Sequence, residues 1–303
     1  MIKTSSGKAH LAVLAANLLF GINFSMVKVL TPALLSSYAL NVVRIVISVG
    51  LFWGLYLLRP SQAGIDRKDV PRFLLCAVTG VAINQILFIK GLSLTSTIHG
   101  SLLILGTPIF ITAAAAWLLH ERFGLHKALG LALGIAGAAV LVLSRQGGPS
   151  GTDVMLGDVL VIINSISYAL YFVWVKPLML KYPPVHVIRW VFSFGMLFIL
   201  PFGAVDYLHT SFATFPPQGW VALAFVVIGG TFLPYLLNMY GLKYLGPGVT
   251  GSYIYTQPFF AALIGILFLQ ERFGWPQLLA GACIAGGVLL VNRRPATNRA
   301  ATS

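Results

Sequence analysis

Acidic residues are scarce in this chain. Asp and Glu together number 7 in 303 residues, and all charged residues amount to 9%. A water-soluble domain carries about 25% charge. A surface this poor in it must meet lipid over much of its area. Cysteine is also rare: Cys76 and Cys283 both stand inside apolar runs. They exclude a disulfide framework or thiolate metal site and read as small packing residues. The six histidines are dispersed without metal-ligand spacing, and no H-E-x-x-H occurs, which counts against a metal-dependent membrane enzyme. No G-x-x-x-x-G-K-[ST] is present either, so hydrolysis by a P-loop is excluded. Neither a cofactor nor a metal is expected.

What is abundant is apolar: 58% of the residues, with a mean hydropathy of +0.88. The net charge of +13 comes from Lys and Arg placed singly or in pairs between apolar runs. That is no basic face with interleaved aromatics, so a nucleic-acid partner is not expected. Runs of the length needed to cross a ~30 Å hydrocarbon core predict helices near 10–30, 36–58, 71–90, 97–119 and 125–144. A second set is predicted near 156–177, 186–205, 218–240, 249–270 and 275–292. The first run outlasts a signal peptide and reads as a retained helix. With the N-terminus cytoplasmic, the inner segments hold most of the basic residues, Arg67, Lys68, Arg72, Lys127 and Lys181 among them. The outer loops hold Arg145, Arg272 and the borderline Lys90. Both termini are therefore expected in the cytoplasm, in a bacterial inner membrane.

The chain also repeats itself. Glu121-Arg122-Phe123-Gly124 returns as Glu271-Arg272-Phe273-Gly274, and at the same 150-residue offset Gly91, Pro108 and Gly137 match Gly241, Pro258 and Gly287. Earlier in each half the register differs, pairing Phe24…Lys28 with Phe172…Lys176 and Val43-Arg44 with Ile188-Arg189. Repeats of five helices, 1–147 and 148–303, would enter the membrane from opposite sides. The expected fold is thus an all-α membrane protein with ten transmembrane helices as two inverted five-helix repeats, with substrate near the midplane between them.

These features resemble the EamA-type members of the drug/metabolite transporter superfamily. Each half has an aromatic-small pair before a Lys (Phe20-Gly21…Lys28 and Tyr168-Ala169…Lys176), a Pro in its fourth helix, a Glu-Arg at that helix's end and a Gly/Ala-rich fifth helix. Phe20 stands where the family often has Trp. The resemblance implies a ten-helix carrier, usually an exporter of amino acids or related metabolites. A multidrug efflux carrier is the alternative within transport, and a membrane enzyme or other non-transport protein the alternative outside it. A monomer is expected, with a homodimer as the other possibility.

Ionisable and amide side chains within apolar runs are costly and point to function. Arg44 and Arg189 are candidates to meet a substrate carboxylate. Asn23, Asn84, Gln85, Ser101, Tyr168, Tyr171, Trp174, Asn238, Tyr255 and Gln257 are candidates to line a wet, aromatic-walled cavity. Pro108 and Pro258 are candidate gates, each freeing a backbone carbonyl. Lys28 and Lys176 read as snorkelling or capping residues, and His99 as a solvated interface histidine. Every acid stands outside the apolar runs or at their ends. With no embedded carboxylate to alternate between proton and cation, an anionic or zwitterionic substrate is favoured.

Overall fold

The computed structural model describes residues 2–58, 64–118, 125–143, 153–270 and 274–292. Both Glu-Arg tetrads, apart from Gly274, lie outside them, as does Arg145. Among the described residues the chain is helical throughout and has no strand. α1 (Ile2–Leu30) and α2 (Ser37–Leu58) are continuous. α3 (Val70–Ala77) and α4 (Ile83–Leu94) are one rod joined by a π-helical segment, Val78–Ala82. α5 (Thr97–Ile104) and α6 (Thr107–Leu118) are separated by a break at Leu105-Gly106, and α7 covers Leu125–Leu143. The second half repeats this order. α8 (Val154–Lys181) and α9 (Pro184–Leu208) come first. α10 (Pro217–Ala224) and α11 (Leu233–Ser252) follow, joined by a π segment, Phe225–Phe232. A 3-10 turn, Tyr253–Thr256, leads into α12 (Gln257–Leu269), and α13 is Trp275–Asn292.

Six of these rods are long and apolar enough to cross a bilayer, and shorter apolar helices accompany them. Large apolar side chains point outward: Leu11, Phe202, Phe259 and Phe268 are 67–72% exposed. In water such a surface would aggregate; against lipid tails it costs nothing.

Packing between the halves follows the repeat. Helix α4 runs antiparallel to α8. Gly91 meets Gly157 so closely that a Cβ on either would lie within 2.9 Å of the other's carbonyl oxygen. Further along, Asn164 Nδ2 donates to Asn84 O at 2.7 Å and Ser167 Oγ to Thr79 O at 2.8 Å. The equivalent pair, α1 with the α10–α11 rod, runs the same way, Gly241 against Val13 and Gly230 against Asn23. Two helices pack on their own counterparts, also antiparallel. α2 meets α9 through Gly203 against Val42 at one end and Trp53 Nε1 donating to Ser193 Oγ at 2.9 Å towards the other. α7 meets α13 through small residues, a Cβ on Gly137 falling 2.9 Å from Ala280 O. Equivalent helices that pack antiparallel require a pseudo-two-fold axis perpendicular to the bundle.

The breaks repeat as well. Both π segments sit in the third rod of their half, and the Leu105-Gly106 break corresponds to the Tyr253–Thr256 turn in the fourth. Pro108 is the second residue of α6, and Pro258 the second of α12. This corrects the expected picture of a proline within a continuous helix. At a first turn the missing N–H has no intrahelical acceptor to lose, so these prolines start helices and do not kink them.

Candidate functional site

The breaks surround a cavity of about 120 Å³ lined by the first four rods of the first half and by the first, third and fourth of the second. It is of the order of the ~150 Å³ cavity known to accept benzene, room for one small solute. Five repeat-related pairs stand among the described lining residues. Phe20 faces Tyr168 across the 148-residue offset; Gln85 and Tyr235, Phe88 and Asn238, Ile104 and Ile254, and Thr107 and Gln257 do so across the 150-residue offset. The pseudo-two-fold axis therefore passes through the cavity.

Among the described residues that line it, Arg44 is the one formal charge. Arg44 is 4% exposed and projects from α2. Its Nε donates to Thr231 Oγ1 at 3.0 Å, and Nη1 has no hydrogen-bond partner among the described residues. Thr231 is available because it sits in the π segment, where its own hydroxyl reaches back five residues to Val226 O at 2.9 Å. Such π turns commonly mark functional sites because they displace a side chain from regular helical register. Asn23 Oδ1, beside Gly230, also lacks a partner among the described residues, and any Cβ at Gly230 would overlap it. Gln257 is held by Nε2 donating to Asn17 Oδ1 at 2.7 Å, and Asn164 by its bond to Asn84 O. Aromatic edges close the walls, Phe24 on Phe88 at 5.4 Å and Phe20 on Tyr235 at 6.2 Å between centroids.

Arg44 thus offers donors in a setting of amides, phenols and rings, with no carboxylate to neutralise it. A carboxylate 4 Å away gains about 4 kcal/mol at an effective dielectric constant of 20. Thr231→Val removes the acceptor that aims the guanidinium. A hydrogen bond to a charged group contributes about 1.5–3 kcal/mol, so this near-isosteric change should weaken binding of any carboxylate solute that the cavity takes by about tenfold at unchanged expression, read by titration of the purified protein.

Seven of the expected residues meet at this cavity: Asn23, Arg44, Asn84, Gln85, Tyr168, Asn238 and Gln257. Five do not. Ser101 donates its hydroxyl to Ile98 O, 2.9 Å away on its own helix. Tyr171 packs its ring against Gly80. Trp174 packs on the core between α2, α8 and α9, and Tyr255 on the apolar cluster around Leu102 and Ile284. Arg189 is buried near the start of α9, its guanidinium 4.6 Å above the Trp53 ring and 4.1 Å above that of Tyr56, with Nη2 2.9 Å from His186 Nδ1. That aromatic box satisfies the charge without a ligand. Lys28 caps a helix end, Nζ donating to Thr95 O at 2.6 Å. His99 is no solvated interface residue: it is 2% exposed and paired with Asp158, itself fully buried. The expectation of no buried carboxylate is overturned with it.

Phe20, Thr107, Asn164, Gly230 and Tyr235 also line the cavity. Phe20, Thr107 and Tyr235 are repeat partners of residues already singled out, so the internal offset held the signal for them.

Duplicated helical halves, a lipid-suited exterior and a polar cavity on their common axis define a membrane transporter. The sequence pattern of the EamA-like transporter family matches residues 7–143 and again 155–293; the chain belongs to that family. Its similar proteins include the uncharacterized transporter YetK of Bacillus subtilis, 24% identical over 96% of this chain and 88% of that one. The uncharacterized inner membrane transporter YicL of Salmonella typhimurium is 26% identical over 95% and 96%. A probable terminal-alkyne amino-acid exporter of Streptantibioticus cattleyicolor is 26% identical over 75% and 74%. One solved crystal structure superposes with a TM-score of 0.61 over 96% of both chains at 16% identity, a likeness of fold.

Proposed function

We propose that this protein is a secondary carrier, working as an exporter, of small carboxylate-bearing metabolites, amino acids foremost, in a bacterial cytoplasmic membrane. One observation carries the substrate class: Arg44 is the lone formal charge among the described lining residues and keeps a guanidinium nitrogen open. A zwitterion would set its carboxylate on Arg44 and its ammonium against the amide and phenol oxygens of Asn23, Asn238 and Tyr168. A cationic drug finds no carboxylate among the described lining residues, which weighs against multidrug efflux. The amino-acid exporter among the similar proteins supports the same class.

In this reading the chain acts as a monomer of ten spans, with both termini cytoplasmic and the halves oppositely inserted. The antiparallel packing of α2 on α9 and of α7 on α13 supports that inversion. So do the polar ties, which sort to two ends: Asp69 with Lys181 and Tyr182 at one, Ser36 with Asp206 and Thr95 with Asp158 at the other. Transport follows from exchange of the two halves' conformations about the axis through the cavity, with the π segments and fourth-rod breaks as hinges, Pro108 and Pro258 beside them. Counterflow in proteoliposomes with a panel of labelled amino acids and organic acids tests this. Saturable exchange of at least one carboxylate, and none of permanent cations, is the expected result. Exchange of cations alone would refute the substrate class.

A further inference from the structure

A second polar cluster lies outside the cavity, at the end of the bundle where α1 and α4 finish and α8 begins. His99 Nδ1 is 2.9 Å from Asp158 Oδ2, and Thr95 Oγ1 donates to Asp158 Oδ1. His99 Nε2 is 3.2 Å from Gln277 Nε2. Gln277 Oε1 accepts from Gly274 N at 3.1 Å, so the amide turns its NH₂ towards the imidazole. The pattern assigns the protons: Nε2 accepts with its lone pair, and Nδ1 carries the hydrogen given to the carboxylate. All four side chains are at least 95% buried.

The cluster spans the seam. Thr95 and His99 belong to the first half, Asp158 and Gln277 to the second. We propose that His99 and Asp158 form a proton-binding site whose occupancy controls the exchange between the carrier's two conformations, so that metabolite movement responds to the pH on that face. A proton from water on that face adds to the Nε2 lone pair of His99 and returns to the same water when the tie to Gln277 re-forms; no other covalent bond changes. Once Nε2 carries hydrogen it opposes the Gln277 amide donor, and the tie between α5 and α13 breaks. Two features make a buried pair suited to this. Its members are an imidazole and a carboxylate, each able to hold a proton on a lone pair, and the halves cannot move apart without disturbing it.

The surrounding charges are few. α8 presents Asp158, with the exposed Asp153 at its cap. α1 presents Lys28, bonded to the carbonyls of Thr95 and Ser93. α4 carries Lys90 one turn before Ser93. α6 and α12 carry no ionisable residue, and Cys283 on α13 faces Gly137. The repeat provides no matching latch on the other face. Asp158 corresponds to His10, which is exposed and bonded to Tyr253 OH at 2.8 Å, and His99 corresponds to Val249. A latch present on one face only makes the balance between the two conformations follow the pH on that face.

The inference rests on the carrier reading, and the experiment separates the two. Wild type, His99→Gln and Asp158→Asn are reconstituted, and uptake of the labelled amino-acid and organic-acid panel is measured with and without a transmembrane pH gradient. Wild-type rates should change at least about fivefold with the gradient, at the low end of usual coupling strengths. Both variants should still exchange labelled substrate but lose the gradient response, which a merely structural role would not do. Equal wild-type rates with and without the gradient overturn the coupling and leave the carrier standing. Absence of any exchange overturns the carrier reading. In that case impermeant-thiol labelling of Thr107→Cys in a chain lacking Cys76 and Cys283, normalised to an exposed Ser211→Cys, decides the proton site. Normalised labelling should vary with pH, and flatten when His99→Gln is added; a flat profile without that change overturns the site.

Discussion

Arg44→Ala should lower carboxylate transport by at least about 100-fold in kcat/KM, while the protein still expresses and elutes as wild type. The factor corresponds to about 2.7 kcal/mol, within the range for a charged hydrogen-bonded contact in a poorly hydrated site. Fold survival is expected because Arg44 forms one described intramolecular hydrogen bond, to Thr231. Removing the guanidinium leaves behind a hydroxyl that still bonds Val226 O. Arg44→Lys should recover only part of the loss, since an ammonium cannot bond Thr231 and a carboxylate with the same planar fork. Counterflow of a labelled amino acid, compared with its decarboxylated amine, reads the effect: the acid is lost and the amine, poorly carried from the start, is unchanged.

Gly287→Leu should disrupt the packing of α13 on α7. Its Cβ would lie 2.5 Å from Gly130 O and 2.9 Å from Gly134 N, both backbone atoms of α7. Overpacking against movable side chains costs about 1–3 kcal/mol; here the obstacle is a helix backbone, so a loss above about 3 kcal/mol is expected, enough to deplete folded protein in the membrane. Helix pairs in lipid depend on such close approach, because no hydrophobic force separates helix from tail. Gly54→Ala is the control. Nothing lies within 4 Å of its added Cβ, and alanine favours the helix by about 1 kcal/mol. Thermal unfolding in detergent should place Gly54→Ala at or above wild type and Gly287→Leu far below it.

Much of this architecture was legible in the sequence. The run expected over 275–292 is α13 at Trp275–Asn292, and that expected over 186–205 is α9 at Pro184–Leu208. Apolar length dominates helix formation in lipid, where the backbone has no other partner. The π segments were not legible: Val-Thr-Gly-Val-Ala reads as ordinary apolar helix, and only the packing of Gly80 on Tyr171 and Gly230 on Asn23 marks the places. For the cavity, single residues were less informative than the repeat. Gln85, Tyr168 and Gln257 point across the axis to Tyr235, Phe20 and Thr107. Arg189 fails for the same reason that it looked attractive. It matches Arg44 in sequence but sits near the start of α9, where Trp53 and Tyr56 of α2 reach it before any ligand could. His99 and Asp158 are 59 residues apart, and no local pattern joins them. Asp158 resembles a helix-start residue until tertiary packing buries it.

The central claim is that one cavity on the axis between the halves is reached from each side of the membrane in turn. Cysteines at Thr107 and at its repeat partner Gln257, labelled in oriented vesicles with an impermeant thiol reagent from one side and then the other, test it most directly. Both positions should react from either side, and a transported carboxylate should protect both. Labelling from one side alone under every condition, or protection of one position and not its partner, would contradict the account.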